Sequence, residues 1–186
     1  MAVHAPKHAF TVEEYHRMAE AGIFTEDDRV ELVEGEVLEM AAIGRRHAGI
    51  VNRLTRLFSR GLGDRAVVTV QNPVELGDRS EPEPDLTIAR PRADFYGEGH
   101  PTPTEILLLV EVTDTSHRYD QYKIAVYSHH GVRETWQVNV EENSVTVFRE
   151  PSAEGYRAVT RVSPGESLSP KSFPDLVIAV NDIIGA

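Results

Sequence analysis

From Ile106 to Val110 the chain runs Ile-Leu-Leu-Leu-Val without a polar break; Glu111 then interrupts the run and Val112 resumes it. A run of this length and branched character predicts a strand buried on both faces. After a short polar link, Tyr119, Tyr122, Val126 and Tyr127 recur at i, i+3, i+7 and i+8 and predict a helix over 119–130, which Gly131 stops at its C′ position. Lys123, at i+4, falls in the middle of that apolar side. A carboxylate or ammonium buried without a partner costs several kcal/mol, so two readings compete. Either Glu111 and Lys123 pair with each other, or the lysine stem lies along apolar surface with its head in water; or the glutamate holds a divalent cation and the lysine stands beside it in an active site.

The same patterning predicts the supporting elements. Thr11-Val-Glu-Glu14 is a capping box, with Phe10 and Tyr15 placed as a hydrophobic staple, and opens a helix running towards Gly22. Two short Val- and Leu-rich runs between Arg29 and Met40 flank Glu34-Gly35 and read as a hairpin whose glutamates are solvated, Glu31 being the exception to watch. From Arg46 to about Leu62, Ile50, Val51, Leu54, Leu57 and Phe58 share one side of a helix. His47 projects to that side and is either a satisfied core histidine, the favoured reading, or a residue near the site. Strands are expected over 66–70, 74–76 and 86–89, with Arg90 to Pro103 as a surface loop. Beyond the helix, 132–140 and 145–148 form a hairpin, 156–162 adds a strand, and 173–179 repeats the pattern of 84–89. Proline cannot donate to a sheet ladder, so Pro84 places Asp85 at a strand start, and Pro174 does the same for Asp175. On residues alone the two aspartates are equivalent.

Composition narrows the chemistry. The 186 residues suit one domain, 1–186, and 40% apolar with 26% charged residues fits a globular protein. No apolar window is long enough to span a membrane and no secretory leader is visible, so the expectation is a cytoplasmic protein. The absence of cysteine excludes thiolate nucleophiles and cysteine-ligated metals. No GxGxxG, Walker loop, HExxH or GxSxG is present. The net charge of -11 argues against broad nucleic-acid binding. Against it stands a basic stripe: Arg45, Arg46, Arg53, Arg56 and Arg60 fall within roughly a third of a helix circumference. A solvated face is the default for such a stripe, and a phosphate backbone is the alternative.

Taken together, Pro84-Asp85, Glu111-Val112-Thr113 at the end of an apolar strand, Arg118-Tyr119-Asp120-Gln-Tyr-Lys123-Ile-Ala-Val-Tyr127 and Gly131-Val132-Arg-Glu134-Thr-Trp136 resemble the Uma2 family. The likeness extends through Val30 to Glu36 and the His47 helix. That family is placed in the PD-(D/E)xK nuclease superfamily, and the resemblance selects Asp85 over Asp175. It implies an α/β (α+β) restriction-endonuclease-like core, a mixed central sheet flanked by helices, with Asp85 and Glu111 as ligands of Mg²⁺ or Mn²⁺ and Glu31 as a third carboxylate. The superfamily's lysine position is Thr113 here, and in the Uma2-like pattern Lys123 takes its place. The implied function is hydrolysis of phosphodiester bonds in nucleic acid, DNA above all, by Asp85, Glu111 and Lys123; the charge pattern of the helix, not the resemblance, offers Arg46, Arg53, Arg56 and Arg60 as contacts to the backbone. Cutting both strands would favour a homodimer. The alternative is a catalytically inactive module of the same fold that binds nucleic acid or protein.

Overall fold

Thr11 caps the first helix, α1 (Val12–Glu20), by the reciprocal box the sequence predicts: its hydroxyl accepts from the Glu14 N–H while the Glu14 carboxylate accepts from the Thr11 N–H. The protein is seen here in a computed structural model that describes residues 7–25, 27–114 and 117–185. Strands β1 (Val30–Val33) and β2 (Glu36–Glu39) pair antiparallel with Val33 opposite Glu36, so Glu34 and Gly35 alone make the turn. Both have positive φ, 50° and 78°, as a two-residue turn matched to strand twist requires.

The long helix α2 (Arg45–Leu62) leads into β3 (Val67–Val70), β4 (Leu86–Ala89) and β5 (Ile106–Thr113). Helix α3 (His117–His129) crosses from β5 to β6 (Glu134–Asn139), which pairs parallel with β5; β7 (Ser144–Arg149) and β8 (Ala158–Val162) follow antiparallel. The six strands from β3 to β8 form one mixed sheet in sequence order. Two short strands, β9 (Ser167–Leu168) and β10 (Ile178–Ala179), pair beside it, and the chain closes with α4 (Val180–Ile184).

Alternation along β5 divides the core into two layers. Leu108, Val110 and Val112 pack with Ile50, Leu54 and Phe58 of α2 and Ile183 of α4. Leu109 faces the other way, into a cluster with Ile124, Val126 and Tyr127 of α3 and Val33 of β1. The strand is therefore covered on both sides, as its unbroken apolar run predicts. Gly131, at φ 79°, ends α3: its N–H bonds the Ser128 carbonyl and the Val132 N–H bonds that of Tyr127.

Three local expectations are corrected. Residues 74–76 are buried at Val74 and Leu76 but form no strand; these two instead donate to the Pro82 and Ser80 carbonyls within a loop. Tyr122 is 38% exposed, and Ile124 occupies the buried side of α3 in its place. The segment 173–179 supplies only a two-residue strand, after which the chain turns into α4. Among the described residues no helix is long and apolar enough to cross a membrane.

Candidate active site

Strands β4 and β5 pair antiparallel with Leu86 opposite Val110 and Thr87 opposite Leu109. One more step of that register sets Asp85 opposite Glu111. Side chains opposite each other on adjacent strands leave the sheet on the same face, so two carboxylates far apart along the chain become neighbours. Pro84 cannot extend the ladder, which leaves Asp85 free to turn its carboxylate towards the end of β5. Its Oδ2 accepts from the Val112 N–H at 2.8 Å, and its Oδ1 accepts from Gln71 Nε2 at 3.2 Å and lies 2.7 Å from His47 Nε2.

Glu111 is 4% exposed. The Tyr127 hydroxyl donates to its Oε1, and the Lys123 ammonium lies 3.0 Å from the same oxygen. Lys123 reaches it because its place on α3, between Tyr119 and Tyr127, directs the side chain at the sheet. The ammonium also lies 3.2 Å from Glu31 Oε2 and donates to the Glu83 carbonyl at 3.1 Å. Glu31, brought in by β1, accepts from the Tyr119 hydroxyl at 2.5 Å on one oxygen and from the Glu83 N–H at 2.7 Å on the other. Glu31, His47, Gln71, Asp85, Glu111, Tyr119 and Lys123 line one cavity of about 140 Å³, and Tyr127 lies behind it.

The electrostatics follow from burial first and from neighbouring charges second. Burial, with the nearby charges of Asp85 and Glu31 adding to it against the pull of Lys123, pushes the Glu111 carboxyl up to about 7. Burial disfavours the Lys123 ammonium, but Glu111 and Glu31 outweigh it and hold the amine above its ordinary range. Burial likewise disfavours a charged His47, and the hydrogen bond and charge of Asp85 raise it overall. The pocket is thus an acidic concavity holding one fixed ammonium, an arrangement that clusters at functional sites.

The Uma2 family model, described as "Putative restriction endonuclease", matches residues 12–181. The chain belongs to the Uma2 family. Among solved structures, a protein from Anabaena variabilis described as "a putative nuclease belonging to DUF820" shares the fold, with a TM-score of 0.74 over 95% of this chain and 98% of that one at 16% identity. No curated protein matches the sequence.

Of the residues the sequence singles out, Glu31, Asp85, Glu111 and Lys123 line one cavity of this Uma2 chain. Thr113, two residues after Glu111, is fully buried and accepts from Gln137 Nε2 at 3.0 Å. The arginine stripe divides. Arg46 donates to the Val140 carbonyl and to Asn143, and Arg53 donates to the Ile183 and Ile184 carbonyls, so these two tie the N-terminal and middle turns of α2 to the rest of the fold. Arg56 and Arg60 are exposed and line a separate groove.

His47 corrects the sequence reading. It is no core histidine: it sits in the first turn of α2 at the cavity wall, bonded to Asp85. Gln71, Tyr119 and Tyr127 are further members of the site that sequence patterning misses. The one available signal is that a buried tyrosine hydroxyl needs a partner, so two tyrosines flanking Lys123 on an inward helix face imply acceptors opposite. Among the described residues no group of three Asp, Glu or His side chains has the spacing of a metal-ligand set.

Proposed function

We propose that this protein is a divalent-metal-dependent nuclease that hydrolyses phosphodiester bonds in DNA, with Asp85 and Glu111 holding Mg²⁺ or Mn²⁺ and Lys123 completing the site. The observation that carries this reading is the meeting of Asp85, Glu111 and the Lys123 ammonium in one pocket at the ends of two paired strands. The donor set fits the ion: carboxylate oxygens suit hard cations, and Mg²⁺ is commonly held by one or two carboxylates, with water and phosphate oxygens in the remaining positions. Burial raises Glu111 and the neighbouring charge of Asp85 adds to it, a cost that a cation held between the two carboxylates would relieve.

When bound, the ion would activate a water and offset charge on the phosphodiester. The protein's own groups do the rest. The Val112 N–H and Gln71 orient Asp85, while the Tyr127 hydroxyl orients Glu111. Glu31, held by Tyr119 and the Glu83 N–H, serves as the anchor that keeps Lys123 charged and aimed at the pocket. A fixed ammonium in a partly water-excluded site stabilises negative charge building on a phosphate more strongly than it would in water.

One observation favours a second reading, a non-catalytic module of the same fold: Lys123 already has three acceptors, Glu111, Glu31 and the Glu83 carbonyl. Titration with Mn²⁺ separates the two. A nuclease of this design shows a melting temperature that climbs with Mn²⁺ by ligand linkage, and Asp85→Asn or Glu111→Gln abolishes the climb. A wild-type protein indifferent to Mn²⁺ and Mg²⁺ would leave the module reading standing.

A further inference from the structure

The outer side of α2 carries a second concavity, of about 500 Å³, lined by Arg53, Arg56, Leu57, Arg60 and Asp182. It puts three guanidinium groups against one carboxylate in a chain whose net charge is -11. Arg53 is built into its wall. Its Nε and Nη2 donate to the Ile183 and Ile184 carbonyls at 2.9 and 2.7 Å, where the C-terminal end of a helix favours a cation. Gly185, at φ 77°, lets the chain pass this close, since a Cβ there would lie 2.7 Å from the Arg53 guanidinium carbon. Arg56 and Arg60 differ: both are exposed, and among the described residues neither forms a hydrogen bond or ion pair. Two uncompensated guanidinium groups beside a third that cannot swing away are a preorganised acceptor for a polyanion.

We propose that this groove binds a nucleic-acid phosphate backbone, with Arg56 and Arg60 as the two phosphate contacts and Arg53 as the fixed charge beside them. The choice of partner rests on the nuclease reading. One helix carries both sites, because His47 in its first turn walls the proposed catalytic pocket. At 1.5 Å rise per residue, Arg56 and Arg60 lie about 14 and about 20 Å further along that axis. At 3.6 residues per turn they also point about half a turn round from His47, so the groove opens on the outer side of α2, away from the pocket wall. A backbone bound there would pass along the outer side of the helix, and Leu57 offers an apolar contact for sugar between the charges.

The test is fluorescence anisotropy of the full chain with a labelled DNA duplex in EDTA, so that nothing is cleaved, across a series of salt concentrations. Each phosphate contact contributes about 0.9 to the slope of log K against log salt. Arg56→Gln with Arg60→Gln should therefore lower the slope by about 2 and weaken binding on the order of 100-fold at about 50 mM salt. Each single change should lower the slope by about 1, which keeps the test open if the double variant folds poorly. Arg56→Lys with Arg60→Lys retains the charge and should retain the slope. An unchanged slope in the glutamine variants overturns the proposal, as does a wild-type protein that ignores DNA at low salt. Competition by poly-glutamate as effective as by unlabelled DNA would also overturn it and point to an acidic protein segment instead. The Mn²⁺ melting shift is measured in the same preparations before EDTA is added: if it persists while DNA binding ignores both arginines, only the groove assignment fails. If it is absent from the wild type, the metal site fails and the groove is judged on binding alone.

Discussion

Two buried glutamates on the same sheet, Glu111 and Glu134, both lie against a cation, but Glu111 opens onto a cavity with other carboxylates whereas Glu134 is enclosed by donors. Glu134 is 1% exposed and is saturated with donors: Trp136 Nε1 at 2.9 Å and the Arg149 guanidinium at 2.9 and 2.6 Å on one oxygen, and the Lys171 N–H at 2.6 Å on the other. Arg149 donates onward to the Ser169 carbonyl, which ties β7 to the chain beyond β9. Glu111 shares its surroundings with other carboxylates, opens onto a cavity and is pushed up to about 7. Burial beside a cation is therefore no signature of chemistry. A carboxylate raised by burial and by like charges beside an open cavity is the better candidate, because the folded protein carries a cost there that a ligand can relieve.

The contrast breaks most visibly at Glu134. Replacing it with Ala leaves the Trp136 and Lys171 N–H groups without acceptors and strips Arg149 of its partner, a loss expected to cost about 3 to 5 kcal/mol. Urea unfolding measures the cost. The Mn²⁺ response of whatever remains folded should be unchanged, and a response lost along with stability would mean that the two clusters are coupled.

Glu111 should behave in the opposite sense. Its folded value of about 7 lies above the ordinary 4.5, so between those values the metal-free folded chain binds more protons than the unfolded one. Its contribution to stability is then fully present below about 4.5 and is lost as pH rises through about 7, on the order of 3 kcal/mol in all. Urea midpoints in EDTA should fall across that window in the wild type, and Glu111→Gln should flatten the fall. Equal pH profiles for the two proteins would show that Lys123 neutralises Glu111 completely.

The same contrast explains what is legible in the sequence. Glu111 can be read because it breaks an apolar run, and Lys123 because it falls on the apolar side of a helical repeat. Local periodicity reports both. It does not report that the N-terminal turn of α2 abuts the start of β4, so His47 passes for a core residue although its partner is 38 residues away. Arg53 looks like part of a solvated charged stripe because its carbonyl partners lie 130 and 131 residues further on. Helix α4 is invisible to patterning because five residues are too few to display a helical period. On α3, Tyr122 and Ile124 exchange roles: tyrosine scores as apolar, and the contacts that bury Ile124 come from a cluster with β1 and β5 that no local repeat encodes.

The least costly change sharpens the point for aspartate. Pro84-Asp85-Leu86 and Pro174-Asp175-Leu176 are the same tripeptide, and nothing within either says which one matters. The difference lies in the neighbour each aspartate meets once the chain folds. Asp85 faces the end of β5 and is 8% exposed, whereas Asp175 sits in a turn, mostly exposed, paired only with Arg65 at 2.8 Å among the described residues. A solvated pair of this kind contributes less than about 1 kcal/mol. Asp175→Asn should therefore leave both the urea midpoint and the Mn²⁺ melting shift close to wild type, while Asp85→Asn removes the shift. If the Asp175 variant also lost its metal response, the register argument that pairs Asp85 with Glu111 would no longer explain which aspartate does the binding.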